Sequence, residues 1–168
     1  MDGLFTTLSN MEPENKLGPI CKRNRWRIAV AESCTGGMVG SRITSVPGSS
    51  EYFSGGVIAY SNQLKIALLG VPSELIDKEG AVSEAVARTM AVGVVRATGV
   101  QVGLSITGVA GPGSSDQKPP GTVHIAVKTP KGLESKMLSL AGSRKEIREL
   151  TVSKALEFLV EALEKTDS

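Results

Sequence analysis

Aromatic residues are scarce in this 168-residue chain, at 4%, so its core has to be built mainly from Val, Ile, Leu and Ala. Histidine is scarcer still, with His124 alone. A single histidine excludes a His-rich zinc site and argues against a Ser–His–Asp arrangement. Its place between Val123 and Ile125 reads as a core-edge or solvent-facing strand position. The two cysteines, Cys21 and Cys34, are too few for a disulfide framework or a four-thiolate metal site. No apolar run approaches the ~20 residues of a membrane span, and the first twenty residues carry acids but no apolar leader segment. A cytoplasmic protein with no membrane partner is therefore expected. Charge of one sign is lacking too: 19 basic against 17 acidic residues, net +2, announces no nucleic-acid partner. The local cluster Lys22, Arg23, Arg25 and Arg27 around Trp26 reads as a solvated helix end and strand start.

What is there is a globular composition, 40% hydrophobic, in a chain long enough for one domain with a substantial core. Residues 1 to about 15 are polar and weakly patterned, so a loose N-terminus is expected. A short helix follows over 14–25, with Gly18 and Pro19 arguing against a long one. Strands are expected at 27–31, 56–60, 100–106, 122–128 and 133–140, the last two forming an antiparallel hairpin through Pro130-Lys131-Gly132. Helices are expected at 36–44, 62–69, 73–78 and 83–98. The last of these carries Val86, Met90, Val94 and Ala97 on one face. Ser143-Arg144-Lys145-Glu146 reads as a capping box opening a final helix, whose buried stripe is Ile147, Leu150, Ala155, Phe158, Leu159 and Ala162. Alternation of strands and helices up to a closing hairpin implies an α/β fold. The form expected is a three-layer α/β/α sandwich with a mixed, mostly parallel sheet of about five strands.

Two strand ends break into hydroxyls and glycines. Ala31-Glu32-Ser33-Cys34-Thr35-Gly36-Gly37 follows the apolar run Ile28-Ala29-Val30, and Ser105-Ile106-Thr107-Gly108-Val109-Ala110-Gly111 follows another. Ligands of open α/β sheets bind at the carboxyl ends of strands, where Ser33, Tyr60 and Thr107 all fall. A serine needs a base to become a nucleophile, and burial can lower a lysine pKa into the working range. Lys65, one helical turn after Tyr60, is the candidate, although on residue type alone a solvated lysine is the commoner case. Tyr60 reads either as packing or as orienting that amine. Ser33 reads either as a helix N-cap or as a nucleophile, with Thr35 offered as the cap instead. Cys34 is a rival nucleophile that reads better as a small buried apolar residue. Thr107 to Gly113 offers backbone N–H groups to an anion or a carbonyl oxygen. Arg144 and Arg148, four apart on one helix face, suit a phosphate or pair with Glu146 and Glu149.

Taken in order and spacing, these stretches resemble the CinA C-terminal domain family, including its stand-alone nicotinamide-nucleotide amidases. The match is carried by Ala31 to Gly37, Pro47-Gly48-Ser49-Ser50, Tyr60-Ser61-Asn62-Gln63-Leu64-Lys65, Gly80-Ala81-Val82-Ser83, Ser105 to Pro112 and Lys118-Pro119-Pro120-Gly121-Thr122-Val123. The resemblance covers residues 26–163. It implies an amidase domain over 26–168 behind an extension and short helix at 1–25. The activity it implies is deamidation of nicotinamide mononucleotide to nicotinic acid mononucleotide and ammonia. Ser33 would then be nucleophile and Lys65 general base, with Tyr60 nearby. Thr107, Gly108 and Gly111 would line the pocket, Arg144, Arg148 or both would hold the phosphate, and amides around Thr35, Gly36 and Gly37 would steady the oxyanion. No metal or organic cofactor is implied, and a homodimer is the expected assembly. The alternative is a non-catalytic regulatory or nucleotide-binding module linked to competence or DNA damage.

Overall fold

The computed structural model describes residues 11–167, so most of the expected loose N-terminus lies outside the described residues. The elements run α1 (Pro13–Asn24), β1 (Ile28–Glu32), α2 (Met38–Thr44), a 3-10 turn (Ser49–Glu51), β2 (Phe53–Ile58), α3 (Asn62–Leu69) and α4 (Ser73–Glu79). They continue through α5 (Glu84–Thr98), β3 (Val102–Gly108), β4 (Thr122–Thr129), β5 (Gly132–Ser139) and α6 (Arg144–Asp167). The strands form one five-stranded sheet in the order β2-β1-β3-β4-β5. β1 is parallel to β2 and β3, whereas β3–β4 and β4–β5 pair antiparallel. β5 thus runs with β1, β2 and β3, and β4 alone is reversed.

Alternation along β1 sorts the two faces. Ile28 and Val30 join Leu17, Val39, Ile43 and Leu156, under α1, α2 and α6. Ala29 and Ala31 join Leu69, Ile76, Val86 and Met90, under α3, α4 and α5. These are the three expected layers. The same period of two sends Glu32 toward α2 and the next residue, Ser33, toward α3. Ser33 continues the ladder past the strand end, its N–H donating to Ile106 O at 3.0 Å.

Several boundaries differ from the sequence reading. α1 keeps the expected short length, twelve residues at 13–24 against 14–25, with Gly18 and Pro19 inside it. Leu17, Ile20 and Cys21 are buried, and each such side chain contributes ~1.5–3 kcal/mol, enough to offset the roughly 1 and 3 kcal/mol that Gly and Pro disfavour a helix. Gly18 also admits the Tyr52 ring, which a Cβ there would meet at 3.2 Å. β2 lies at 53–58 rather than 56–60, leaving Tyr60 in the link to α3. On α5, Val86, Met90 and Val94 are buried as expected, but Ala97 is exposed. On α6, Ile147 and Ala155 are buried but Leu150 is 42% exposed, and Thr151 and Val152 turn inward instead. The buried ridge there runs 147, 151, 155, 159 and 163, and Leu150 sits about 100° off it. The capping box forms as read: Ser143 N–H and Oγ both donate to Glu146 Oε2 at 2.7 Å.

Candidate active site

The site is set by α3. Ser61 caps it, accepting from Leu64 N–H at 3.2 Å, and only Lys65 and Leu69, one turn apart, are buried on it. Leu69 seats against α5 because residue 93 is glycine: a Cβ there would lie 2.1 Å from Leu69 O. Arg96 Nη2 secures the same carbonyl at 3.2 Å. With Leu69 pinned, Lys65 is carried under the sheet end, where it is 2% exposed. Its Nζ lies 3.1 Å from Ser33 Oγ and 3.4 Å from Tyr60 O. Desolvation pushes the Lys65 pKa below its ordinary value, with Cys34 and Asp116 opposing more weakly. A buried amine without a carboxylate partner, hydrogen-bonded to a serine hydroxyl, is equipped to take that proton.

These two residues open into a cavity of about 290 Å³. Tyr60, Thr107, Gly108, Gly111 and Arg144 line it with them. Arg144 spans the mouth, donating from Nη1 to Gly111 O at 2.6 Å and from Nη2 to Tyr60 Oη at 3.1 Å. Among the described residues neither Glu146 nor Glu149 claims it; Glu146 is taken by Ser143 and Glu149 by Lys145. Thr107 Oγ1 donates to Ala81 O at 2.9 Å and so fixes the turn between α4 and α5 against the sheet end.

The other expected site residues lie elsewhere. Thr35, Gly36, Gly37 and Arg148 are not among the side chains lining the cavity. Gly36 N–H donates to Ser33 O at 3.1 Å, and Gly37 N–H donates to Glu32 Oε1 at 3.2 Å. Glu32, 1% exposed, also accepts from Val39 and Gly40 N–H at 3.0 Å. It therefore does the capping that was assigned to Thr35, whose own Oγ1 is buried without a partner. Gly37 makes the turn possible, at φ +103°. Arg148 braces the turn from behind, Nε donating to Cys34 O at 3.0 Å and Nη2 to Thr35 O at 3.3 Å. Cys34, by contrast, lines the cavity beside Ser33, but burial pushes its thiol up to about 11, which keeps it protonated and a poor nucleophile.

Sequence reasoning missed Glu32, Asn62 and Asp116. Glu32 left a signal, an acid at a strand end just before two glycines and a helix. Asn62 and Asp116 line the cavity from α3 and the β3–β4 loop and carried no pattern of their own. A larger cavity, about 860 Å³, lies between α1, α2 and α6. Its arginine, Arg42, is already bound to Glu14, Glu12 and Ser153, and it holds no nucleophile–base pair.

The fold and the strand-end site define a three-layer α/β/α domain with a hydroxyl–amine pair at the carboxyl ends of parallel strands. The family model of the CinA C-terminal domain matches residues 10–163, and the chain belongs to that family. A CinA-like protein of Desulfotalea psychrophila is 52% identical over 133 residues, 79% of this chain and 32% of that protein. A CinA-like protein of Synechocystis is 48% identical over 147 residues, 85% of this chain and 35% of that protein. The chain thus spans about a third of the length of these curated relatives. A CinA superfamily protein from Klebsiella pneumoniae superposes with a TM-score of 0.87 at 28% identity, covering 92% of this chain and 97% of that one. The competence/damage inducible protein CihA from Agrobacterium tumefaciens gives a TM-score of 0.84 at 35% identity, covering 92% and 96%. No helix among the described residues is long and apolar enough to cross a membrane.

Proposed function

We propose that this chain is an amidohydrolase that converts nicotinamide mononucleotide and water to nicotinic acid mononucleotide and ammonia. The observation that carries the reading is the 3.1 Å contact between buried Lys65 Nζ and Ser33 Oγ. Neutral Lys65 accepts the serine proton as Oγ attacks the carboxamide carbon. The tetrahedral adduct collapses, the C–N bond breaks, and Lys65 returns the proton to the departing nitrogen, which leaves as ammonia. Water then gives a proton to Lys65 while its oxygen attacks the ester, and the proton returns to Ser33 Oγ. One water is consumed and no electron changes hands, so no cofactor is required.

Tyr60 ties the two ends of the site together: its carbonyl accepts from Lys65 and its hydroxyl from Arg144. Arg144 is the cation placed to meet the substrate phosphate at the mouth, where its fork matches phosphate oxygens. The Gly36 and Gly37 amides are committed inside the turn, so the oxyanion role is not given to them. A second copy of the chain is proposed as partner for the open β2 edge and α3, where Ile58, Leu64, Ile66 and Leu68 stand exposed. The direct test is ammonia release from nicotinamide mononucleotide by the wild type, Ser33→Ala and Lys65→Ala. Turnover that collapses in both variants is expected. Absence of turnover in folded wild type would leave a nucleotide-binding module instead.

A further inference from the structure

We propose that Asp116 is the specificity residue that reads ring charge: its carboxylate favours the cationic pyridinium of the mononucleotide over the neutral, reduced dihydropyridine form. The proposal rests on the amidase reading of the site and names what that site selects.

Asp116 lines the same cavity as Ser33, Lys65 and Arg144, and among the described residues it is the one carboxylate there. Its placement is built. Asp116 Oδ2 accepts from Val82 N–H at 2.9 Å, and the turn holding Val82 is itself fixed by Thr107 through Ala81 O. On the other side, Ser115 and Lys118 exchange backbone hydrogen bonds at 3.1 and 2.8 Å. Asp116 and Gln117 between them take positive φ of 50° and 58°, a conformation that non-glycine residues adopt sparingly. The neighbouring amine, Lys118 Nζ, donates to Glu79 O at 3.4 Å rather than to the carboxylate. One oxygen is thus spent on holding the group in place and a second acceptor oxygen remains.

A carboxylate repels phosphate, so it has no use at the end of the ligand that Arg144 meets. The remaining charge on the oxidised mononucleotide is the permanent positive charge of its N-substituted ring, and a fixed anion in the cleft complements it. The discrimination has a chemical purpose. The cationic ring withdraws electrons and makes the carboxamide carbon electrophilic, whereas the dihydropyridine nitrogen donates into the same carbonyl and deactivates it. A site without charge preference would fill with a ligand it turns over poorly. Asp116 is exposed, so water screens it, and a surface-type charge pair of this kind supports a preference of roughly twofold to fivefold rather than an absolute one.

The test is made by binding, in a Ser33→Ala background that leaves both ligands intact. Calorimetry gives the Kd of the oxidised and of the reduced mononucleotide for Ser33→Ala and for Ser33→Ala with Asp116→Asn. Loss of roughly twofold to fivefold in affinity for the oxidised form, with the reduced form unchanged, is the expected result. Equal weakening of both ligands would overturn the proposal and make Asp116 a holder of the Val82 turn or a reader of sugar hydroxyls. No change for either ligand would overturn it as well. Wild-type ammonia release with unaltered charge preference in Asp116→Asn would sink this inference alone. Folded Ser33→Ala protein that binds neither ligand, beside a wild type releasing no ammonia, would sink the amidase reading with it.

Discussion

Two side chains that carry charge in water are almost completely buried at the carboxyl end of the sheet, and the structure treats them in opposite ways. Glu32 accepts three backbone N–H bonds from the start of α2, which satisfies its charge and closes that helix end. Lys65, across the strand, has a serine hydroxyl and one distant carbonyl. Burial without compensation is what moves a pKa, and at Lys65 it lowers the value. The difference separates a group that holds the fold from one poised for chemistry. It also explains why the glycine-rich turn after β1 is not the anion site its composition suggests: its helix end already has an anion.

The largest expected effect breaks the Lys65 side. Lys65→Met keeps the length and removes the base, and activity should fall by about 10³-fold or more. Stability should move the other way. Lys65 has a lowered folded pKa, so between that value and its unfolded one the unfolded chain binds more protons and stability rises with pH. Near neutral pH the buried amine is thus a liability, and Lys65→Met should hold or raise Tm while abolishing turnover. In the wild type, kcat/KM should climb with pH as Lys65 deprotonates, with a midpoint below the ordinary lysine value of 10.5. A pH profile and a melting curve on the two proteins check both halves. A variant that loses Tm and activity together would make Lys65 structural.

Breaking the other side should do the reverse. Glu32→Ala orphans three N–H groups, that of Val39 buried and those of Gly37 and Gly40 half-buried, and hydrogen bonds to a charged group contribute about 1.5–3 kcal/mol each before relaxation and water entry. A loss of roughly 3 kcal/mol in urea unfolding is expected, with Glu32→Gln recovering part of it. The apparent pKa of the activity profile should stay in place in whatever fraction remains folded. A shifted profile would mean that Glu32 acts electrostatically on the Ser33–Lys65 pair.

The fold was largely legible because hydrophobic periodicity carries it: α3 and α5 begin and end where Ser61, Gly70, Ser83 and Gly99 say. Errors fell where a strand ends early, as before Tyr60, or where a stripe is one residue out of phase, as at Leu150. The Ser33–Lys65 pairing is a meeting of a strand end with a helix 32 residues on, so spacing alone left Lys65 a plausible surface charge. The family pattern tipped it. Period-two alternation does predict that Glu32 and Ser33 face opposite layers, and with it the split of roles. Nothing local predicts Asp116, because the loop over 109–121 acquires its geometry from the turn it docks on.

Arg144 and Arg148 sharpen the same contrast at smaller scale. They sit four apart on α6, yet Arg144 reaches the cavity and Arg148 grips the carbonyls of Cys34 and Thr35. On the proposed function, Arg144→Ala should raise KM for the mononucleotide about tenfold or more, with a smaller change in Tm than Arg148→Ala, since its hydrogen bonds to Gly111 O and Tyr60 Oη lie at the open mouth of the cavity. Arg148→Ala should lower stability by roughly 1–2 kcal/mol, the scale of two hydrogen bonds from a charged donor after relaxation, and lower kcat more than it raises KM by loosening Ser33. Steady-state kinetics beside thermal melts distinguish the two. Identical behaviour of both variants would erase the division between mouth and brace.

The smallest effect belongs to Leu150. In the apolar stripe read from the sequence it is a core residue, and a core leucine truncated to a small side chain loses about 2–5 kcal/mol. Its 42% exposure and its position about one-quarter turn off the buried ridge of α6 put it on the rim of the larger cavity instead. Leu150→Ser should therefore change unfolding free energy by less than ~0.5 kcal/mol and leave turnover untouched, whereas Val152→Ser, two residues on and buried, should lose well over 1 kcal/mol. The pair isolates phase from composition, because both positions are apolar and close in sequence. Equal losses would mean that the rim at Leu150 is covered in solution and that the larger cavity is an occupied surface.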